Sequence, residues 1–389
     1  MLTELDLTAI RADIPALASS RYFNTGGTGP SSRRALDAAL DLERRLQEIG
    51  LDAPPGRELL SAVAPRLRAE LAATLNVAPD EIALTRNVAE GINTVAWGMD
   101  WQPGDEVLLT DQEHPTGQLP WINLADRRGI ALRRLALTPD VEALLGRLRA
   151  AIGPRTRLVA FSHVTCEDGQ RLPAREIVAL AHEAGVPVLF DAAQSLGQFP
   201  IDLRAIGCDY YAMTGHKWVG GGHGRGALYV RRDRIAELKP SWTGSSAPAA
   251  FDMWTGAYRL RDDAGRFEFG GRNFQMYASF AEALAQLREI GLDRVEAVVA
   301  ANAGDLKRRL GAIDGCRILT PSDPARSAGI VTFELAGRPG TELVPLLWER
   351  GRVVCRHALA GRAVRLSVAY FTSPEEIAAV AELVAELAG

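Results

Sequence analysis

The residues best suited to covalent chemistry stand at the ends of two short apolar runs. DYYAM (209–213) is followed at once by Thr214, His216 and Lys217, and VPVLF (186–190) by Asp191, with Gln194 three positions on. A lysine presented from a strand end can form a Schiff base if it is desolvated enough to be nucleophilic, and a buried carboxylate nearby can stabilise a protonated ring nitrogen. Taken alone, Asp191 would serve as well for an N-cap of the next helix. Lys217 is followed by Trp218 and a glycine-rich turn, a poor setting for a solvated surface lysine. Of the 44 lysine and arginine residues only Lys217, Lys239 and Lys307 are lysines, so an amine-dependent reaction has three side chains to draw on. Lys239 (ELKPS) and Lys307 (DLKRRL) read as ordinary exposed charges. A phosphate-binding role for Lys217 of the P-loop kind fails because G-x-x-x-x-G-K-[ST] is absent, and the glycines at 220–226 do not form G-x-G-x-x-G.

Two further pieces could complete such a site. Thr85-Arg86-Asn87-Val88 follows the apolar pair Ile82 and Ala83 and opens a helix, whose first N–H groups, aided by Asn87, would hold an anion. Many helices begin with Asn, so this piece alone is unspecific. His114, in TDQEHPT after the run Glu106–Thr110, could stack on an aromatic ring or be purely structural.

The elements that must position these residues alternate. Helical periodicity covers roughly 31–50, 57–75 and 174–184. Strand-like runs fall at Glu106–Thr110, Ala131–Leu135, Leu158–Ser162, Val186–Phe190, Asp209–Met213 and Ala227–Val230. Apolar strands alternating with helices imply a mostly parallel α/β sheet covered on both faces, with ligands beyond the carboxyl ends of the strands. The segment 240–275, rich in Gly, Ser, Trp and Arg, reads as a long functional loop. After it come a helical run (275–312), a strand (Ala328–Leu335), a helix (340–350), strand-like pieces at Val353–Cys355 and Val364–Val368, and a terminal helix (374–388). These form a smaller α+β unit, and the division is expected at 16–255 for the large domain against 1–15 and 256–389 for the small one.

Composition excludes several classes. With 389 residues, 47% hydrophobic and 24% charged, the chain is neither disordered nor a disulfide scaffold, and its net charge of −4 gives no electrostatic footprint for nucleic acid. The first residues lack the basic and apolar regions of a signal peptide, and no stretch reads as a membrane span. Cys166, Cys208, Cys316 and Cys355 lie far apart without zinc spacing, so no metal site and a reduced cytoplasmic setting are expected.

Together the motifs YFNTGGTGP (22–30), LTRNVAEGIN (84–93), TDQEHP (110–115), FSH (161–163), DAAQS (191–195), DYYAMTGHKW (209–218), RFEFGG (266–271) and VRLSVAYFTSPEEI (364–377) resemble the class V aminotransferase family of pyridoxal 5′-phosphate (PLP) enzymes, fold type I, over nearly the whole chain. The resemblance implies that Lys217 carries the cofactor as a Schiff base and that Asp191 pairs with its pyridine nitrogen. It implies further that Gln194 meets the ring hydroxyl, that His114 stacks on the ring, and that Asn87, Val88, Thr214 and His216 hold the phosphate. Arg365 matches the arginine that binds the substrate carboxylate, with Arg356 and Asn24 beside it. It also implies a homodimer in which the 240–275 segment completes the partner's site. Cysteine desulfurases of this family carry a nucleophilic cysteine on a mobile loop between segments like VVCRH (353–357) and AVRLS (363–367). Here Arg356 and Arg365 are nine positions apart, too close for such a loop, and Cys355 reads as a core residue. The short spacing looks most like the cystine C–S lyases of the family, with Lys217 removing the α-proton and His114 available to protonate the departing sulfur. An isopenicillin N epimerase-like racemisation or a transamination is the alternative. Two departures stand out. Gly271 occupies the place of a partner-subunit phosphate donor, for which Arg272 is the candidate replacement, and Cys166, Glu167 and Asp168 replace a commonly found Asn.

Overall fold

The computed structural model describes residues 6–389. Seven strands build the larger sheet: β1 (Ile82–Thr85), β2 (Glu106–Thr110), β3 (Ala131–Leu135), β4 (Thr156–Ser162), β5 (Val188–Asp191), β6 (Tyr210–Thr214) and β7 (Gly226–Val230). Their spatial order is β1-β7-β6-β5-β4-β2-β3, with β7 antiparallel to both neighbours and the rest parallel. Alternate residues feed two separate cores. Val188, Phe190, Tyr211 and Met213 join one, and Leu189, Tyr210 and Ala212 the other, as a period of two requires when both faces are covered. The exception is the edge strand β3, which exposes Arg133 and Arg134, charges that discourage pairing with another sheet edge.

Helices α1 (Arg33–Ile49), α2 (Pro54–Leu75) and α5 (Phe274–Ile290) pack on the first face, and α3 (Val88–Gly98) and α4 (Pro115–Arg128) on the second. The expected run 275–312 is two helices, because Gly291 at φ +94° ends α5 and α6 (Leu292–Gly311) begins after it. The expected loop 240–275 contains a short antiparallel hairpin, Pro248–Phe251 with Tyr258–Leu260. Four antiparallel strands form the smaller sheet: β8 (Cys316–Ile318), β9 (Ile330–Leu335), β10 (Arg356–Ala358) and β11 (Ala363–Ser367), in the order β8-β9-β11-β10.

α5, which a division at 255/256 would give to the small unit, buries Tyr277, Phe280 and Leu284 in the core of the large sheet, whereas Ala303, Leu306 and Leu310 of α6 belong to the small sheet's core. We propose that the division falls within α6. At the other end of the chain, the pair Arg11–Glu376 at 2.6 Å and the contacts of Ile14 with Ile330 and Phe371 tie the N-terminal residues to the small unit; residues 1–5 of the expected 1–15 segment lie outside the described residues. Among the described residues no helix is long and apolar enough to cross a membrane.

Candidate active site

The site lies on the second face of the large sheet, at the carboxyl ends of its strands. Asp191 is the last residue of β5 and is in register with Ser162 of β4 and Ala212 of β6, and Lys217 follows β6 by three residues. Two helices start at the same edge. Asn87 caps α3, its Oδ1 accepting from the Glu90 N–H at 3.0 Å, and His114 caps α4, its Nδ1 accepting from the Thr116 N–H at 3.1 Å. Both helix N-termini therefore point partial positive charge into the space above Asp191 and Lys217.

That space is a cavity of about 270 Å³, and it brings together Asn87, Val88, His114, Asp191, Gln194, His216, Lys217, Arg356 and Arg365. Thr214 stands behind it, fully buried and sharing a 2.6 Å hydrogen bond with His216 Nδ1. Asn24 lies at the margin, in a bridge with Ser367. Sequence reasoning had not singled out the cavity residues Gly26, Gly27, Ala89, Thr116 and Ala193.

A segment from the N-terminal region, 24–29, closes one wall. The Gly29 N–H donates to the His216 carbonyl at 2.7 Å, and a Cβ on Gly29 would sit 1.9 Å from the Lys217 carbonyl oxygen, so only glycine allows this approach. At Gly26 a Cβ would fall 2.9 Å from Ser367 Oγ and 3.4 Å from Arg365 Nη2. The atoms around it are buried and lack partners: Asn24 Oδ1, Ser367 Oγ, and Nε and Nη2 of Arg365. Buried polar groups are normally satisfied, so such a cluster beside a cavity is the mark of a ligand site. Two N–H groups of one guanidinium suit a carboxylate.

Electrostatics follow from burial. Burial lowers the Lys217 pKa while Asp191 pulls it back up, and burial raises the Asp191 pKa against the Ala193 N–H, which donates to Oδ1 at 2.8 Å, and the charge of Lys217. An amine in this setting is more readily neutral, hence a better nucleophile and base. Burial, with the charges of Lys217, Arg356 and Arg365, drives His114 down to about 4. Its Nδ1 accepts a backbone N–H, so at neutral pH the ring is uncharged with its proton on Nε2. His114 therefore holds no imidazolium proton to give to a leaving group, and its ring is left for stacking. Gln194 Nε2 donates to the Gly26 carbonyl at 2.9 Å and its Oε1 accepts from Trp218 at 2.8 Å, which fixes the amide and leaves one N–H for a ligand.

Sequence reasoning also passed over Glu113, because a glutamate between Gln112 and His114 at a helix start looks like solvated charge. It is buried, and its carboxyl accepts from Thr110 Oγ1 at 2.7 Å and from Ser162 N and Oγ at 3.0 and 2.6 Å. Burial, aided by Asp191, pushes it up to about 7 from 4.5. Between those values the folded chain keeps a proton that the unfolded chain has released, so this carboxyl costs stability as pH rises through that window. Glu113→Gln, whose amide can donate to Ser162 Oγ, removes the titration. Urea unfolding should show the variant gaining about 3 kcal/mol on wild type between pH 4.5 and 7.5. A difference independent of pH would refute the assignment.

Of the cysteines, Cys355 is part-buried against the small unit's core and Cys166 is buried near Arg365. Burial pushes both thiols up to about 12, and among the described residues no cysteine lines the cavity. Arg272 is committed within its own chain, donating to the Leu84 carbonyl at 2.6 Å and to Tyr277 Oη at 3.2 Å and pairing with Glu268 at 3.2 Å. It is not free to replace a phosphate donor at Gly271.

A lysine and an aspartate at adjacent strand ends, under two helix N-termini and opposite an arginine whose Nε and Nη2 lack partners, suit an enzyme that handles amino acids through a carbonyl cofactor. The chain belongs to the aminotransferase class-V family of PLP-dependent enzymes, whose family model matches residues 57–380. It is 30% identical to a probable cysteine desulfurase of Methanothermobacter thermautotrophicus over 98% of both chains. It is 33% identical to an isopenicillin N epimerase of Streptomyces clavuligerus over 94% of both. Among solved structures, the cystine C–S lyase C-DES with its reaction product cysteine persulfide superposes with a TM-score of 0.90 at 33% identity, covering 96% of this chain and 99% of that one. A C-DES variant with glycine covalently linked to its PLP cofactor gives a TM-score of 0.91 at 32% identity over 97% and 99%.

Proposed function

We propose that this chain is a PLP-dependent carbon–sulfur lyase that splits cystine- and cysteine-type amino acids by α,β-elimination. The reading is carried by one observation: Arg365, with two buried and unpaired N–H groups, and Arg356 share the cavity with Lys217, and no cysteine lines it among the described residues. Two arginines suit a substrate with two carboxylates.

The residues fit the cofactor. The N–H groups at the start of α3, with Asn87, Val88 and His216, would hold the phosphate, Thr214 fixing His216 from behind. Asp191 would accept from the pyridine N–H, Gln194 would meet the ring hydroxyl and His114 would stack on the ring. PLP, when bound, supplies an electron sink that acidifies the substrate α-carbon. Lys217 then takes the α-proton as general base, its burial keeping a fraction of the amine neutral. Arg365 fixes the carboxylate, so that the Cα–H bond is presented to Lys217, and Asn24 closes the same wall. For cystine the balance is cystine plus water to cysteine persulfide, pyruvate and ammonia.

The epimerase-named relative supports a second reading, in which the α-proton returns to the opposite face. Cysteine desulfuration, the activity named for several relatives, needs a thiol that reaches the substrate sulfur, and the turn between β10 and β11 is only a few residues long. Purified holoenzyme should therefore release pyruvate and persulfide from cystine. Alanine and sulfane sulfur from cysteine, an inverted stereocentre, or a keto acid formed only with an amino acceptor would each overturn the lyase reading.

The same reading makes the protein a cytoplasmic homodimer. Segment 240–275 exposes Trp242, Phe251, Met253, Trp254 and Tyr258, Trp254 to 92%, apolar surface that a partner subunit would cover. An active monomer in sedimentation would count against it.

A further inference from the structure

Segment 166–167 of the large unit lies against a row of three residues that run side by side across the small sheet. Thr332 of β9 is paired with Arg365 of β11, which is paired with Arg356 of β10. Two of the three reach the segment's backbone: Arg365 Nη1 donates to the Cys166 carbonyl at 2.7 Å, and Thr332 Oγ1 to the Glu167 carbonyl at 2.6 Å. The side chain of Glu167 adds a third tie. Its Oε2 accepts from the Leu359 N–H at 2.5 Å, in the turn that joins the strands carrying the two arginines. That turn is strained, because Leu359 and Ala360 both adopt left-handed conformations, φ +50° and +55°, although neither is glycine or asparagine. Such backbone persists only where its surroundings hold it.

We propose that Glu167 is a positioning residue for substrate binding, a clamp that holds the Leu359–Ala360 turn and through it sets Arg356 and Arg365 against the cavity. Its tie crosses from the large unit to the small one, so the arginines are aligned to the frame that carries Lys217 and not only to their own sheet. The guanidinium of Arg365 is already committed to the Cys166 carbonyl on one side, and the clamp fixes the angle at which its two remaining N–H groups face the ligand. Small errors in such a fork weaken the carboxylate contact directly, while Lys217 and Asp191, on other elements, keep their own geometry.

The inference rests on the reading of Arg365 as the carboxylate anchor, and its test separates the two. Hydrogen exchange of the peptide spanning 356–365 needs no substrate: it should quicken in Glu167→Ala and stay near wild type in Glu167→Gln, whose amide oxygen can still accept from Leu359. With the amino acid that the substrate screen identifies, Glu167→Ala should raise KM about tenfold or more and change kcat by less than about threefold, while Glu167→Gln stays within about threefold in both. Unchanged exchange in the alanine variant overturns the clamp. Quickened exchange with unchanged KM overturns its role in binding, and equal loss in both variants shows that charge, not the hydrogen bond, is what matters, which also overturns it. A chain that acts on some other amino acid leaves the exchange result standing.

Discussion

Lys217→Arg is expected to give a protein that folds as wild type does and turns over at less than about a thousandth of its rate, the scale of a lost general base compounded by a lost nucleophile. Arginine keeps the charge opposite Asp191, so the electrostatic frame is preserved, but a guanidinium stays protonated at any working pH and neither attacks a carbonyl nor accepts an α-proton. The chain itself has applied this test elsewhere: 389 residues hold only three lysines, arginine serving almost everywhere that charge alone is needed. The other two lysines have structural partners. Lys239 pairs with Asp100, and Lys307 donates to the carbonyls of Pro321 and Ser322 and to Ser327 Oγ. Borohydride should fix cofactor to wild type and leave the variant unlabelled, with melting curves within a few degrees. Retained turnover would overturn the assignment of Lys217.

Arg365→Met should separate function from stability in the opposite sense. Arg365 is 1% exposed, and burial, with the neighbouring charge of Arg356, drives its guanidinium down to about 10. In the free enzyme two of its donor atoms meet nothing, a cost that the ligand's carboxylate removes. At about 1.5–3 kcal/mol for each charged hydrogen bond, losing both should weaken substrate binding by roughly 10²–10⁴-fold. The Tm should hold or rise, since methionine fills similar space without an unpaired charge. The measurement pairs the substrate concentration dependence with thermal unfolding. A variant that melts well below wild type would mean that Arg365 holds the fold through Cys166 and is not mainly a ligand anchor.

Much of this site could be read from residue order because parallel strands deliver their last residues to one edge. β2 and β3 begin and end at the expected residues, and β5 and β6 lie within two residues of expectation, so Asp191 and Lys217 were placed together by topology alone. Their companions His114, Asn87, His216 and Arg365 carry local signatures of helix starts and strand ends. What stayed hidden was long-range. α4 has Gly117 near its start and Pro120 within it, which break the helical pattern, yet the helix forms and passes beside Glu113 and Asp191. β10 is three residues, RHA, without an apolar pattern, and takes its shape from pairing with β11. The packing of α5 on α1 and α2 depends on surfaces more than 200 residues apart in the chain. Glu113 is an ordinary charge by sequence and Glu167 stands out only as a departure from the resemblance; their burial and partners are long-range.

The wall built by residues 24–29 has a consequence for how the protein comes into being. Its partners are His216, Lys217, Arg365 and Ser367, so a segment synthesised before the large sheet completes its contacts only with one made after it. The large sheet can assemble while the chain is still growing, but the pocket stays open on the ribosome until the carboxyl-terminal strand emerges and the early segment docks beside it. Competence to hold an amino acid is thus gained in a single late step, and a nascent chain truncated before residue 365 would carry every group proposed to meet the cofactor but lack Arg365, the proposed anchor of the substrate carboxylate.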